Sequence, residues 1–105
     1  MGDKALWEIL IPRQDNDGLE FTIEHHRQWD ANVRSISGGL TILRTAKGQW
    51  MHDGRLYEEP MIPVRVLCTR DQMSGIVNYT MIHYDQLAIF AYAISTDTIF
   101  KTRDG

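Results

Sequence analysis

The sequence lacks the features that define several classes of protein. It has one cysteine in 105 residues, Cys68, which can neither close an internal disulfide nor form a thiolate metal cage. No apolar run is long enough to span a membrane, and the first residues lack the basic and apolar regions of a signal peptide. We therefore expect a cytoplasmic protein that does not interact with a membrane.

Positive charge is not in excess. Eleven Lys and Arg stand against fourteen Asp and Glu, a net charge of −3, which provides no electrostatic surface for a phosphate backbone. P-loop, dinucleotide-binding, zinc-protease and serine-hydrolase motifs are missing, as is the aromatic signature of RNA-binding domains. We expect no nucleic-acid partner, and no motif assigns an enzyme class.

The composition is that of a folded globular domain. Hydrophobic residues make up 43% and charged residues 24% of the chain. A chain of this length can bury about two-thirds of its surface, which is enough for one core. Residues 1–105 are therefore predicted to form a single domain.

Hydrophobic periodicity and capping residues predict the elements. In chain order we expect a strand at 5–12, a helix at 22–36, a strand at 40–46, a ribbon of 49–52 and 55–58, a strand at 62–68, a helix at 69–84 and a strand at 87–95. With right-handed crossovers this order is the ferredoxin-like β-α-β-β-α-β arrangement. The prediction is an α+β fold in which two helices cover one face of a four-stranded antiparallel sheet, with an inserted β-hairpin ribbon.

Three local signals carry most of this prediction. Thr22 is the expected N-cap of the first helix, and Thr69 with Gln72 matches a capping box for the second. Asp53-Gly54 predicts a two-residue hairpin turn.

Two further expectations concern strands. Pro60-Met61-Ile62-Pro63 should give an edge or irregular start to the next strand. The last strand is apolar on both faces, so both of its faces should be covered.

The helices leave one sheet face open. On that face the alternation places Glu8 and Arg65 together with Leu6, Leu10 and Leu67. An exposed apolar face on so small a protein indicates a partner chain. We predict a homodimer joined through its sheets or edges.

The segment between residues 39 and 59 contains a series of short motifs. They are Gly39-Leu40-Thr41, Gly48-Gln49-Trp50, Asp53-Gly54 and the acidic pair Glu58-Glu59. In this order they resemble the G-L-T, G-x-W, D-G and acidic pattern of a bacterial domain-of-unknown-function family of small proteins. The resemblance implies a ferredoxin-like fold and no assigned activity.

Glu8 and Arg65 are the first candidate site, with Tyr92 of the last strand as a third member. An unpaired charge buried under a second chain would cost several kcal/mol, so the two charges should either pair or line a cavity. Pairing is a structural role. A cavity between sheets would bind a small apolar or aromatic ligand.

The second candidate site is one face of the ribbon, where Trp50, His52, Arg55 and Tyr57 meet. This face could stack a planar ligand or clamp a partner. The alternative is structural, because a cross-strand aromatic pair by itself stabilises a ribbon by about 0.2–1 kcal/mol.

Two further features favour structural roles. His25 and His26 are adjacent, so on a helix their side chains diverge by about 100°, which is unsuitable for chelation, and we expect no metal. Cys68 precedes a helix, where a thiol pKa can fall, but it continues an apolar strand face and is predicted to be buried and inert.

Two functions from different classes remain. The first is a non-enzymatic dimer that binds a partner or a small molecule through its open face or ribbon. The second is a small cofactor-free enzyme, monooxygenase-like or isomerase-like, with Glu8 or a histidine as general base in a pocket between sheets. Neither requires a cofactor.

Overall fold

The computed structural model describes residues 3–104 and has the predicted α+β architecture. Its elements are β1 (Lys4–Pro12), α1 (Ile23–Ser37), β2 (Thr41–Ile42), β3 (Ala46–His52), β4 (Arg55–Thr69), α2 (Arg70–His83) and β5 (Ala91–Ser95). The strands form one antiparallel sheet in the order β2-β4-β1-β5, and β3 also pairs with β4. Ferredoxin-like topology is thus confirmed, with five strands because β4 pairs with both β2 and β3 on one side.

Both helices begin where their caps predict. The Thr22 hydroxyl accepts the backbone N–H of His25, and Gly38 ends α1 in the left-handed region at φ 90°. At α2 the Thr69 hydroxyl accepts the Gln72 N–H while the Gln72 side chain accepts the Thr69 N–H. Local sequence therefore determines these two starts.

The second strand of the ribbon, 55–58, is the first part of β4, and of the two expectations for the proline segment the irregular start is wrong. β4 runs unbroken through Pro60 and Pro63. Each proline lies at a local edge, which was the other expectation, because the neighbouring strand has ended on one side of it. The Pro60 carbonyl accepts Arg13 just past the end of β1, and the Pro63 carbonyl accepts Leu43 between β2 and β3. The N–H that each proline lacks would point to the same side as its C=O, which is the side where the neighbouring strand has ended.

Two other strand predictions are corrected. The predicted strand at 40–46 is divided into β2 and the start of β3, and the predicted strand at 87–95 is ordered as a strand only from Ala91. β5 is an edge strand, and Phe90 beside it is 65% exposed. The prediction that both faces of this strand are covered, which was based on its apolar composition, is therefore wrong within the described protomer.

The core lies between the helices and one sheet face. Its members are Ala5, Trp7, Ile9, Ile11, Trp29, Val33, Val64, Val66, Cys68, Met73, Ile76 and Tyr84. The alternate residues of β1 and β4 point to the other side, which no helix covers, and we call that side the open sheet face. Neither helix within residues 3–104 is long and apolar enough to cross a membrane.

Candidate functional site

A charged cluster lies at the centre of the open sheet face. Glu8 on β1 is opposite Arg65 on β4 and Tyr92 on β5. Arg65 Nε donates to Glu8 Oε1 at 3.1 Å, and the Tyr92 hydroxyl donates to Glu8 Oε2. Glu8 is only 8% exposed. The predicted pairing of Glu8 with Arg65 is confirmed, and Tyr92 completes a triad.

The triad holds the carboxylate in its ionised form. The Tyr92 hydrogen bond, together with that of Arg65 and its charge, lowers the pKa of Glu8 although burial acts in the opposite direction. The same hydrogen bond raises the pKa of Tyr92. Because both carboxylate oxygens accept hydrogen bonds and the pKa is lowered, Glu8 is a weak proton acceptor near neutral pH.

Apolar side chains surround the triad. Leu6, Leu10 and Leu67 are half-buried on the open sheet face, in register with one another and with the triad across β1 and β4. None of them belongs to the core beneath the helices. The placement predicted from strand alternation is therefore confirmed.

An open cavity of about 740 Å³ adjoins this surface. Its lining comes from β1, the ribbon and the segment before β5, and includes Leu10, Trp50, Glu59, Met61 and Phe90. The Phe90 ring lies 5.1 Å from that of Tyr92 and so connects the triad to the cavity. Burial raises the pKa of Glu59. The cavity thus combines aromatic walls with one carboxyl group.

The ribbon forms an arm, which we define as residues 46–61. Asp53 (φ 51°) and Gly54 (φ 74°) make the predicted two-residue turn. Trp50 stacks on Tyr57 with ring centres 6.0 Å apart, and the Arg55 guanidinium lies 5.4 Å from the Tyr57 ring centre. His52 lies 3.3 Å from the Asp53 carboxylate. The predicted arm cluster forms as expected.

The arm cluster and the triad lie on the same side of β4 but do not meet. Tyr57 and Arg65 are eight residues apart on a continuous strand, which corresponds to about 26 Å. Only Trp50 reaches the cavity beside the triad. The binding role of either cluster stays a prediction.

The histidines form a cluster that sequence reasoning missed. His25 and His83 stack with ring centres 3.9 Å apart, and each ring Nε2 bonds the other residue's backbone oxygen, at 2.7 and 2.8 Å. His26 Nδ1 is 2.7 Å from the Tyr84 hydroxyl. In residues 3–104 no three His, Cys, Asp or Glu side chains come together in a way that could hold a metal ion. The cluster joins the start of α1 to the end of α2.

Cys68 is fully buried, and burial raises the pKa of its thiol from 9.0 to about 11. The expected inert thiol is therefore confirmed. The helix that follows does not activate it, because exclusion of water from the thiolate outweighs the helix N-terminus.

Replacing Cys68 by Val should remove one source of alkaline destabilisation. The raised pKa means that the thiol contributes stability below pH 9, which is lost as the pH rises towards 11 because the unfolded chain releases that proton first. At about pH 10 the stability lost in this way is on the order of 1 kcal/mol. Urea unfolding of both proteins from neutral to alkaline pH should show the wild type losing more stability than the variant. Parallel curves would contradict the assignment.

Comparison with known proteins identifies the fold and not a family. No family model and no curated sequence matches the chain. Among solved structures, the CutA1 divalent cation tolerance protein of Thermus thermophilus has a TM-score of 0.67 at 11% identity, over 96% of this chain and 89% of that one. CutA1 from Oryza sativa has a TM-score of 0.71 at 6% identity, over 94% and 84%.

A third similar structure is a phage SAM lyase in complex with S-methyl-5'-thioadenosine. It has a TM-score of 0.56 at 13% identity, over 89% of this chain and 92% of that one. At such identities the likeness shows the fold alone. The ferredoxin-like fold implied by the unknown-function family is thus confirmed, while the structural likeness is to CutA1 proteins and a SAM lyase.

Proposed function

We propose that this chain is a binding protein that associates with itself through the open sheet face and holds a small planar molecule in the cavity beside the triad. One observation carries the proposal: a carboxylate paired with Arg65 and Tyr92 lies at the centre of an apolar face that neither helix covers. A homodimer is the simplest assembly that would cover it.

The paired charges make burial of this face physically feasible. An isolated carboxylate under a second chain would cost several kcal/mol, whereas Glu8 already has a partner on each oxygen. The leucines and Phe90 around the triad supply apolar area whose burial stabilises an interface. The same face therefore offers apolar area that favours association and polar groups that already have hydrogen-bond partners.

The cavity is suited to a planar ligand. Its volume of about 740 Å³ is in the range of small-molecule sites, and Trp50 and Phe90 provide aromatic surface for stacking. The similar SAM lyase was solved with S-methyl-5'-thioadenosine, which carries a purine ring and an apolar thioether. That ligand chemistry supports a purine nucleoside or thioether as the class to test first.

The alternative, a cofactor-free enzyme with Glu8 as general base, is less well supported by the geometry. A general base needs a free oxygen facing the substrate and a pKa near the working pH. Glu8 has neither, since its oxygens accept from Arg65 and Tyr92 and its pKa is lowered. We therefore assign the triad a positioning role in binding.

Titration with S-methyl-5'-thioadenosine tests the ligand class. Saturating ligand, at about a hundred times its Kd, should stabilise the fold by about 2.7 kcal/mol in a thermal unfolding assay. Trp50→Ala should weaken binding about tenfold through lost stacking, and Met51→Ala is the matched control because Met51, 63% exposed, lies on the opposite face of the arm.

Glu8→Gln separates binding from catalysis. The amide keeps the shape and one acceptor oxygen, so binding should stay within a few-fold of the wild type. If the wild type converts the nucleoside to a product and the Glu8→Gln variant does not, the result would favour the enzyme. If the nucleoside does not stabilise the protein and a divalent cation does, the planar-ligand proposal would be contradicted.

A further inference from the structure

The side of the sheet that faces the helices carries a second cleft, which shares Ile89 and Phe90 with the lining of the open cavity. It lies between α2 and the segment leading into β5 and has a volume of about 430 Å³. Met73, Val77 and Ile89 contribute apolar walls. The cleft is therefore roomy enough for a one-ring molecule and is apolar along one side.

The polar groups of the cleft lie along one line of α2. Arg70, Ser74 and Asn78 recur every four residues, so they lie within about 80° of one another around the helix. Within residues 3–104 none of these three side chains makes a hydrogen bond or an ion pair with another side chain or with the backbone. No acidic residue lines the cleft. Its one formal charge is the Arg70 guanidinium.

Beside these groups lies a buried donor without an acceptor. Trp7 lines the cleft and is 9% exposed, and its indole Nε1 is fully buried with no hydrogen-bond partner in the described part of the chain. The Arg70 guanidinium lies 5.6 Å from the centre of a Trp7 ring. An unpaired buried N–H is unfavourable and is rare in folded proteins. This part of the molecule thus has an excess of donors over acceptors.

We propose that this cleft binds a small apolar carboxylate, with Arg70 pairing its charge, Ser74 and Asn78 donating to its oxygens, and the ring or alkyl body lying against Met73, Val77 and Ile89. A carboxylate supplies the negative charge that this set of side chains lacks, and its two oxygens accept from the donors that outnumber the acceptors here. The proposal depends on Arg70, Ser74 and Asn78, none of which lines the cavity of the proposed function, so the two proposals can be tested separately.

Three probes of equal size test the charge requirement. Phenylacetate, phenylacetamide and phenethylamine share one ring and differ in the charge of the head group. Phenylacetate should bind at least tenfold more tightly than the amide, and the amine should not compete. The readout is the 1H–15N resonance of the Trp7 indole, assigned with Trp7→Phe, which should shift with phenylacetate while those of Trp29 and Trp50 do not.

Arg70→Gln should reduce phenylacetate affinity about tenfold or more, and Arg70→Lys should recover part of it. Arg27→Gln is the control, because it removes an exposed arginine from α1, outside this cleft. Equal binding of all three probes, an unmoved Trp7 indole resonance, or equal losses in Arg70→Gln and Arg27→Gln would overturn the proposal. Circular dichroism of each variant confirms that it is folded, and Asn78→Ala gives a second variant that leaves the helix cap intact.

Discussion

Phe90→Asp is expected to weaken self-association by about 100-fold or more. Phe90 lies beside Tyr92 at the edge of the open sheet face and is 65% exposed, so a charge there is harmless to the isolated protomer. In an assembly covering that face the new carboxylate would be buried without a partner, which costs several kcal/mol. Sedimentation velocity or light scattering over a dilution series measures the change.

Ile82→Asp is the matched control for this experiment. Ile82 is 82% exposed on α2, in the layer opposite the open sheet face, so its replacement should leave the association constant unchanged. Leu67→Arg provides a second disruption from β4. A wild-type protein that is monomeric at all concentrations, or equal effects of Phe90→Asp and Ile82→Asp, would refute assembly through the open sheet face.

Thr80→Val should destabilise the fold by about 1–3 kcal/mol although it preserves side-chain shape. Trp29 Nε1 donates to the Thr80 hydroxyl at 2.8 Å, and that hydroxyl donates to the Ile76 carbonyl at 2.6 Å. Both side chains are buried, at 1% and 0% exposure. Valine removes the acceptor and leaves the indole N–H of Trp29 without a hydrogen bond in the core. The free energy of unfolding then falls by the full cost of removing that N–H from water. Urea unfolding gives the free energy difference.

A double-mutant cycle isolates this hydrogen bond. In a Trp29→Phe background no indole N–H remains to be orphaned, so Thr80→Val should cost clearly less there than in the wild type. Thr98→Val, at an exposed position, should change stability little. Equal costs of Thr80→Val in both backgrounds would show that the Trp29 bond does not contribute.

Two of the three residues of the triad could be placed from the sequence for a simple reason. Residues of a strand alternate between faces, so once β1 and β4 are antiparallel neighbours, Glu8 and Arg65 must lie on the face away from the helices. Tyr92 could be named as a candidate, but both sides of its strand are apolar. Only the pairing of β5 with β1 places its hydroxyl on Glu8.

The cavities and the histidine stack carry no sequence signal. His25 and His83 are separated by 58 positions, and their reciprocal bonds depend on where α2 ends relative to the start of α1. The cleft with Arg70 draws on β1, α2 and the segment before β5. Rules based on residue spacing describe which side chains of one helix or strand share a face. They contain no information on the cavities that form between elements that come into contact only after folding.

The sequence by itself determined the element types, the helix starts, the hairpin turn and the division of β1 and β4 into a core face and an open face. These depend on short-range physics: capping hydrogen bonds, left-handed turn residues and the two-residue period of a strand. The tertiary structure alone decided that β4 continues through two prolines, that β5 is an exposed edge, and that the buried Trp7 Nε1 has no acceptor among the described residues. Those outcomes depend on which backbone and side-chain groups become neighbours across the chain, and such neighbours are chosen by packing rather than by local sequence.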